Sequence, residues 1–113
     1  MDTFTALAEP TRRIILERLM ASGNMSATDI YRGFKSSPQA ISQHLKVLRE
    51  AKLVRVEKRA QQRIYYINPE PMQELEKWVH QFAANLENQY QALDRVLEIE
   101  KQRLLANNKK EKK

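Results

Sequence analysis

Four polar side chains, Gln39, Ser42, Gln43 and Lys46, follow closely on a Ser37-Pro38 pair. On a helix they point away from the stripe that Ile41, Leu45 and Leu48 make at i, i+4 and i+7. A glutamine amide can pair bidentately with adenine, a serine hydroxyl serves either base, and a lysine reaches a guanine or a phosphate, so the set suits the edges of base pairs. Ser37 itself stands where free backbone N–H groups could hold a backbone phosphate. A second cluster, Lys58, Arg59, Gln62 and Arg63, supplies donors suited to phosphates or a minor groove.

Other chemistry is poorly supplied. The chain has no cysteine, which excludes disulfides, thiolate metal sites and cysteine nucleophiles. No Ser-His-Asp set or carboxylate pair stands out, and two glycines in the whole chain make a nucleotide-binding loop impractical. His80, with Glu76 and Glu87 in its neighbourhood, offers one imidazole where zinc takes three or four ligands. The expectation is no catalysis, no metal and no cofactor.

These residues need a frame, and 113 residues suffice for one domain with a modest core. The net charge of +6 is unevenly spread: residues 1–70 carry twelve Lys and Arg against seven Asp and Glu, residues 71–106 four against six, and residues 107–113 four against one. A positive field confined to one module suits phosphate binding. The first ten residues lack a basic-then-apolar leader, and no run of about 18 apolar residues occurs, so a soluble, cytoplasmic protein without membrane contact is expected.

The frame reads as follows. Phe4 to Met20 has helical spacing interrupted at Glu9-Pro10, giving a short helix to Ala8 or Glu9 and a second from Pro10 or Thr11 to about Met20. Ser22-Gly23-Asn24 ends the second. Ser26 with Asp29 caps a short third helix to Gly33 or Phe34. Ser37-Pro38 opens a fourth, to about Ala51, because serine caps and proline at the first helical position lacks only an N–H that would be unpaired anyway. Val54–Arg59 and Arg63–Ile67 form a β-hairpin joined near Ala60-Gln61-Gln62. Asn68-Pro69-Glu70-Pro71 stops the second strand, and a long helix runs from about Met72 to Leu105. Leu75, Val79, Phe82, Leu86, Leu93 and Leu97 make its apolar stripe, flanked by Trp78, Tyr90 and Val96. A helix of that length needs a partner for such a stripe. The expected architecture is mainly α with a small β-hairpin: a winged helix-turn-helix over residues 1–71, an extended C-terminal dimerisation helix over 72–106, and a disordered basic tail over 107–113.

Three stretches carry a family resemblance: Ala6-Leu7-Ala8-Glu9-Pro10-Thr11-Arg12-Arg13-Ile14-Ile15-Leu16, Ser42-Gln43-His44-Leu45-Lys46-Val47-Leu48-Arg49-Glu50-Ala51-Lys52-Leu53-Val54, and Arg63-Ile64-Tyr65-Tyr66-Ile67-Asn68-Pro69. In order and separation they resemble the signatures of the ArsR family, over roughly residues 4–71. The resemblance implies a homodimeric repressor that binds an imperfect palindrome in double-stranded promoter DNA and releases it on a signal. It also implies that the first and last helices form the dimer interface, here Phe4 and Leu7 with Leu75, Trp78, Val79, Phe82, Leu86, Tyr90, Leu93 and Leu97. Members that sense arsenic, cadmium, zinc or nickel use cysteines or several His and carboxylates that this chain lacks. The resemblance is therefore to metal-independent members, leaving room for a small-molecule effector. Two departures stand out: the family's Gly after the recognition helix is Lys52 here, and its wing Gly is missing near Gln61.

Other readings stay open. The positive charge alone would serve an architectural DNA binder, and the long helix alone would serve a protein-interaction module. Trp78, Phe82 and Tyr90 could line a ligand cavity rather than an interface. Tyr65 and Tyr66 could stack on bases, although strand alternation sends one of them to the core. His44, beside core residues, reads as packing or a phosphate contact, and His80 as surface or interface.

Overall fold

A computed structural model describes the backbone of residues 2–111 and the side chains as far as Asn108. The chain divides into two compact units, one through Leu75 and the other from Glu76.

In the first unit, α1 (Thr3–Leu7) is capped by Asp2, whose Oδ1 accepts from the Thr5 N–H at 2.7 Å. Glu9 caps α2 (Pro10–Ser22) and Pro10 fills its first position; the helix closes on Gly23, whose φ of 80° lets its N–H reach the Leu19 carbonyl. Arg12 and Arg13 turn back onto the end of α1. Arg12 Nε donates to the Ala6 carbonyl at 2.6 Å and Arg13 Nη1 to the Leu7 carbonyl at 2.7 Å, satisfying acceptors that a helix C-terminus leaves open.

Ser26 has two roles. It caps α3 (Ala27–Arg32) by accepting from the Asp29 N–H at 3.1 Å, and with Met25 it forms β1 (Met25–Ser26). α4 (Pro38–Glu50) starts at Ser37, whose Oγ accepts from the Ala40 N–H at 3.2 Å. β2 (Val54–Arg59) and β3 (Gln62–Ile67) pair antiparallel from Val54↔Ile67 to Arg59↔Gln62. The expected hairpin is thus the larger part of a three-stranded sheet in the order β1-β3-β2, with Met25 opposite Tyr65. A two-residue strand has no periodicity to read, which is why β1 left no signal.

One face of each element builds the core. Ile15 and Leu19 from α2, Ile41, Leu45 and Leu48 from α4, and Leu53 are fully buried, with Ile30, Val54 and Tyr65 beside them. Each large side chain so buried contributes about 1.5–3 kcal/mol of transfer free energy. Tyr65 is the wing tyrosine that faces the core, with 4 % of its surface exposed, while Tyr66 is half-buried.

Two turns use left-handed backbone without glycine. Lys52 has φ 61°, so it adopts the conformation that the missing glycine would have taken. The wing turn is Ala60-Gln61, and the positive φ of 54° falls on Ala60, the first of the two loop positions, as in a type II′ turn.

The last helix, α5 (Pro69–Glu111), is longer at both ends than its apolar pattern. It begins at Pro69 rather than Met72 because proline needs no N–H partner in the first turn and Glu70 suits the positive end of the helix dipole. It continues through Asn107–Glu111, where a disordered tail was expected, since helical hydrogen bonds are internal and need no burial. Lys112 and Lys113 lie outside the described residues.

Candidate nucleic-acid interface

α4 sorts its side chains by face. Ile41, Leu45 and Leu48 are buried, whereas Gln39, Ser42, Gln43, Lys46 and Arg49 are exposed on the outer side. Two open clefts lie along that side. One, of about 350 Å³, is lined by Tyr31 of α3 with Pro38, Gln39, Ser42 and Gln43. The other, of about 340 Å³, is lined by Ser42, Lys46, Arg49 and Glu50 of α4 with Arg63 and Tyr65 of β3. Ser42 borders both, so the glutamine amides and the cations form one continuous polar surface.

Ser37 is exposed at the head of α4 with its hydroxyl engaged as the cap. In the wing, Lys58 is paired in register with Arg63, and Arg59 with Gln62; all four are exposed. Arg63 lines the cationic cleft, while Lys58, Arg59 and Gln62 line neither cleft. Arg59 is held by Glu57, Nη2 to Oε2 at 3.2 Å. Arg49, which the sequence places on the outer side of the helix without a DNA contact, and Tyr31, which it does not single out, also line the clefts. Arg49 follows Lys46 by three residues and Ser42 by seven, a signal that was present; Tyr31 reaches the site only through tertiary packing.

Behind α4, His44 is tied to the α1–α2 junction. Its Nδ1 lies 3.4 Å from Arg12 Nη1 and 3.8 Å from Glu9 Oε2. The Glu9 carboxyl sits below its ordinary pKa. Desolvation opposes the charged form there, and the Arg12 N–H with the charge of His44 outweighs it. The opening of α4 is braced too, because Arg18 Nη1 donates to the Gly33 carbonyl at 2.5 Å and its guanidinium covers the Phe34 ring at 4.2 Å.

Of the expected interface residues, Phe4, Trp78, Val79, Phe82, Leu86, Tyr90, Leu93 and Leu97 are exposed. Leu7 is half-buried against the core of its own domain, and Leu75 is half-buried as well. Trp78 and Phe82 stack with ring centroids 5.4 Å apart. His80 Nε2 pairs with Glu76 Oε1 at 3.5 Å, and among the described residues no three His, Cys, Asp or Glu side chains gather as metal ligands. Among the described residues no helix is long and apolar enough to cross a membrane.

A helix-turn-helix domain family matches residues 7–57. The transcriptional repressor SdpR of Bacillus subtilis is 35% identical over 81 residues, spanning 72% of this chain and 89% of that protein. An ArsR-like transcriptional regulator from Rhodococcus sp. RHA1 superposes with a TM-score of 0.71 at 25% identity, covering 82% of this chain and 87% of that one. A crystal structure of another ArsR family transcriptional regulator gives 0.69 at 28%, covering 74% and 86%. The chain belongs to the ArsR family of winged helix-turn-helix transcriptional regulators. Regulators of the ArsR family bind double-stranded DNA, and in the ArsR fold α3 and α4 are the helix-turn-helix and β2–β3 the wing.

Proposed function

We propose that this ArsR-family chain is a cytoplasmic homodimeric repressor that reads an imperfect palindrome. The second helix of a helix-turn-helix enters the major groove, and here that helix exposes Gln39, Ser42, Gln43 and Lys46 together while its other face is locked into the core. That shared exposure carries the reading. Gln39 and Gln43 pair with adenines, Ser42 takes a base edge between them, and Lys46 reaches a guanine or a phosphate. Ser37, at the head of α4, lies against the backbone. Lys46, Arg49 and Arg63, around one cleft, seat the strand that passes between helix and wing, and Lys58, Arg59 and Gln62 hold the flanking groove. Repression is what the name of SdpR records for that relative.

The dimer brings two α4 helices to half-sites one helical turn apart or a multiple of it. The exposed aliphatic and aromatic side chains of α5 and Phe4 of α1 supply the apolar surface for pairing. The protein needs no cofactor, and its release signal is a small molecule or a change in its own concentration.

The test is selection of bound sequences from a random DNA pool at physiological salt. An enriched two-fold motif with half-sites about one turn apart is expected. Binding without enrichment, following ionic strength alone, would overturn sequence reading in favour of an architectural DNA binder.

A further inference from the structure

The back of α4 carries an imidazole with two competing partners. His44 Nδ1 lies 3.4 Å from Arg12 Nη1, a donor, and 3.8 Å from Glu9 Oε2, an acceptor. One ring nitrogen cannot serve both at once. Without a proton it offers a lone pair to Arg12; with one it becomes a donor, turns to Glu9 and meets the guanidinium as a like charge. Both partners are held in place. Arg12 Nε and Nη2 donate to the Ala6 and Thr5 carbonyls at the end of α1, at 2.6 and 3.1 Å, and Glu9 Oε2 accepts from the Arg12 N–H at 3.1 Å as the cap of α2. A change of partner therefore falls on the ring and on the turn of α4 that carries it. Few other charges compete there. α1 has no charged side chain beyond its cap Asp2, which accepts from the Thr5 N–H, and one turn from His44 on α4 stand Ala40, Ile41, Val47 and Leu48. β2 also packs on α4, and among the described residues its Arg55, Glu57, Lys58 and Arg59 make no ion pair with His44.

We propose that His44 is a proton-dependent positioning residue for sequence reading. Unprotonated, it ties α4 to the end of α1 through Arg12; protonated at Nδ1 by solvent, it exchanges that tie for Glu9 and blunts the choice among DNA sequences. This role rests on the sequence reading proposed above and adds its regulation by pH. His44 follows directly on Gln43, so the turn it anchors is the one that presents Ser42, Gln43 and Lys46. The added positive charge strengthens attraction to every phosphate alike, and so cancels in the ratio of specific to random binding. What remains in that ratio is the placement of the amides, because a hydrogen bond to a base edge weakens steeply with distance and angle.

Histidine is the side chain whose ordinary titration falls between about pH 5 and 8. This chain has two, His44 and His80, and no cysteine. The test is the affinity of the full-length protein for its best selected sequence and for random DNA, at fixed salt, from about pH 8 to about pH 5.5. In the wild type the ratio of the two should fall about fivefold toward acid. His44→Asn carries an acceptor for Arg12 and a donor for Glu9 without titrating, so its ratio should keep the alkaline value throughout. His44→Leu offers neither and should show the lower ratio at every pH. Glu9→Gln should move the midpoint toward acid, since the imidazolium loses its anion. His80→Asn should keep the wild-type profile. A wild-type ratio constant across the range, a fall that persists in His44→Asn, or one that vanishes in His80→Asn overturns this role for His44 while sequence reading stands. A ratio near one at every pH overturns sequence reading, and this role with it.

Discussion

Lys52 and Ala60 hold a backbone conformation that costs an L side chain about 1–2 kcal/mol. Glycine removes that clash and adds part of the cost back as unfolded-chain entropy. Lys52→Gly and Ala60→Gly should therefore each stabilise the protein by about 0.5–1 kcal/mol in urea unfolding, without altering the preferred DNA sequence. At Glu9 the sign runs with pH. A carboxyl held below its ordinary value contributes stability that is complete above the unfolded pKa, about 4.3, and is lost as pH falls through the lower folded value. The stability gap between wild type and Glu9→Gln should be widest near neutrality and close in acid; a gap constant down to pH 3 would remove Glu9 from the account. On the reading face, Gln39→Ala or Gln43→Ala should cost about 1–3 kcal/mol on the best operator and relax one base-pair position, with little change on random DNA.

At the scale of elements, the serine cap of α4 is the piece most open to measurement. Ser37→Ala should cost about 1 kcal/mol of stability, since the Ala40 N–H loses its acceptor. Most elements were legible because their signals are local: Ser26 and Ser37 are side-chain caps, Pro10 and Pro38 fix first turns, and Val54 to Ile67 is rich in β-branched and aromatic residues. The three-residue spacing from Lys46 to Arg49, which puts both on the outer side of α4, is as plain. β1 and Tyr31 were illegible for another reason, because a two-residue strand and a side chain brought in by packing exist only once the chain has folded. Pro69 misled in the opposite direction, as a proline that ends a strand is also the best first residue of a helix.

At the scale of the molecule, the front half carries the positive excess and the residues that line both clefts. Each phosphate contact adds about 0.9 to the slope of log affinity against log salt, so if Arg63 meets one phosphate in each protomer of the proposed dimer, its loss from both should flatten that slope by about 1.8. Its affinity loss should be uniform across sequences, the reverse of the glutamine variants, and a titration series at several salt concentrations separates the two.

Asn68 joins parts of the fold that lie far apart in sequence. Its Nδ2 donates to the Lys52 carbonyl at 2.8 Å and its N–H to the Leu53 carbonyl at 3.0 Å, tying the exit of β3 to the entry of β2, and its own side chain is buried. At the other end of the hairpin, Arg59 to Gln62 are exposed throughout. Amide exchange should then grade along the wing, slow at Leu53, Val54 and Asn68 and fast at the turn, the two ends opening as separate events. A wing clamped at its root and exposed at its tip is a sprung finger: on the proposed function it would follow grooves of different width from one binding site to the next without moving α4.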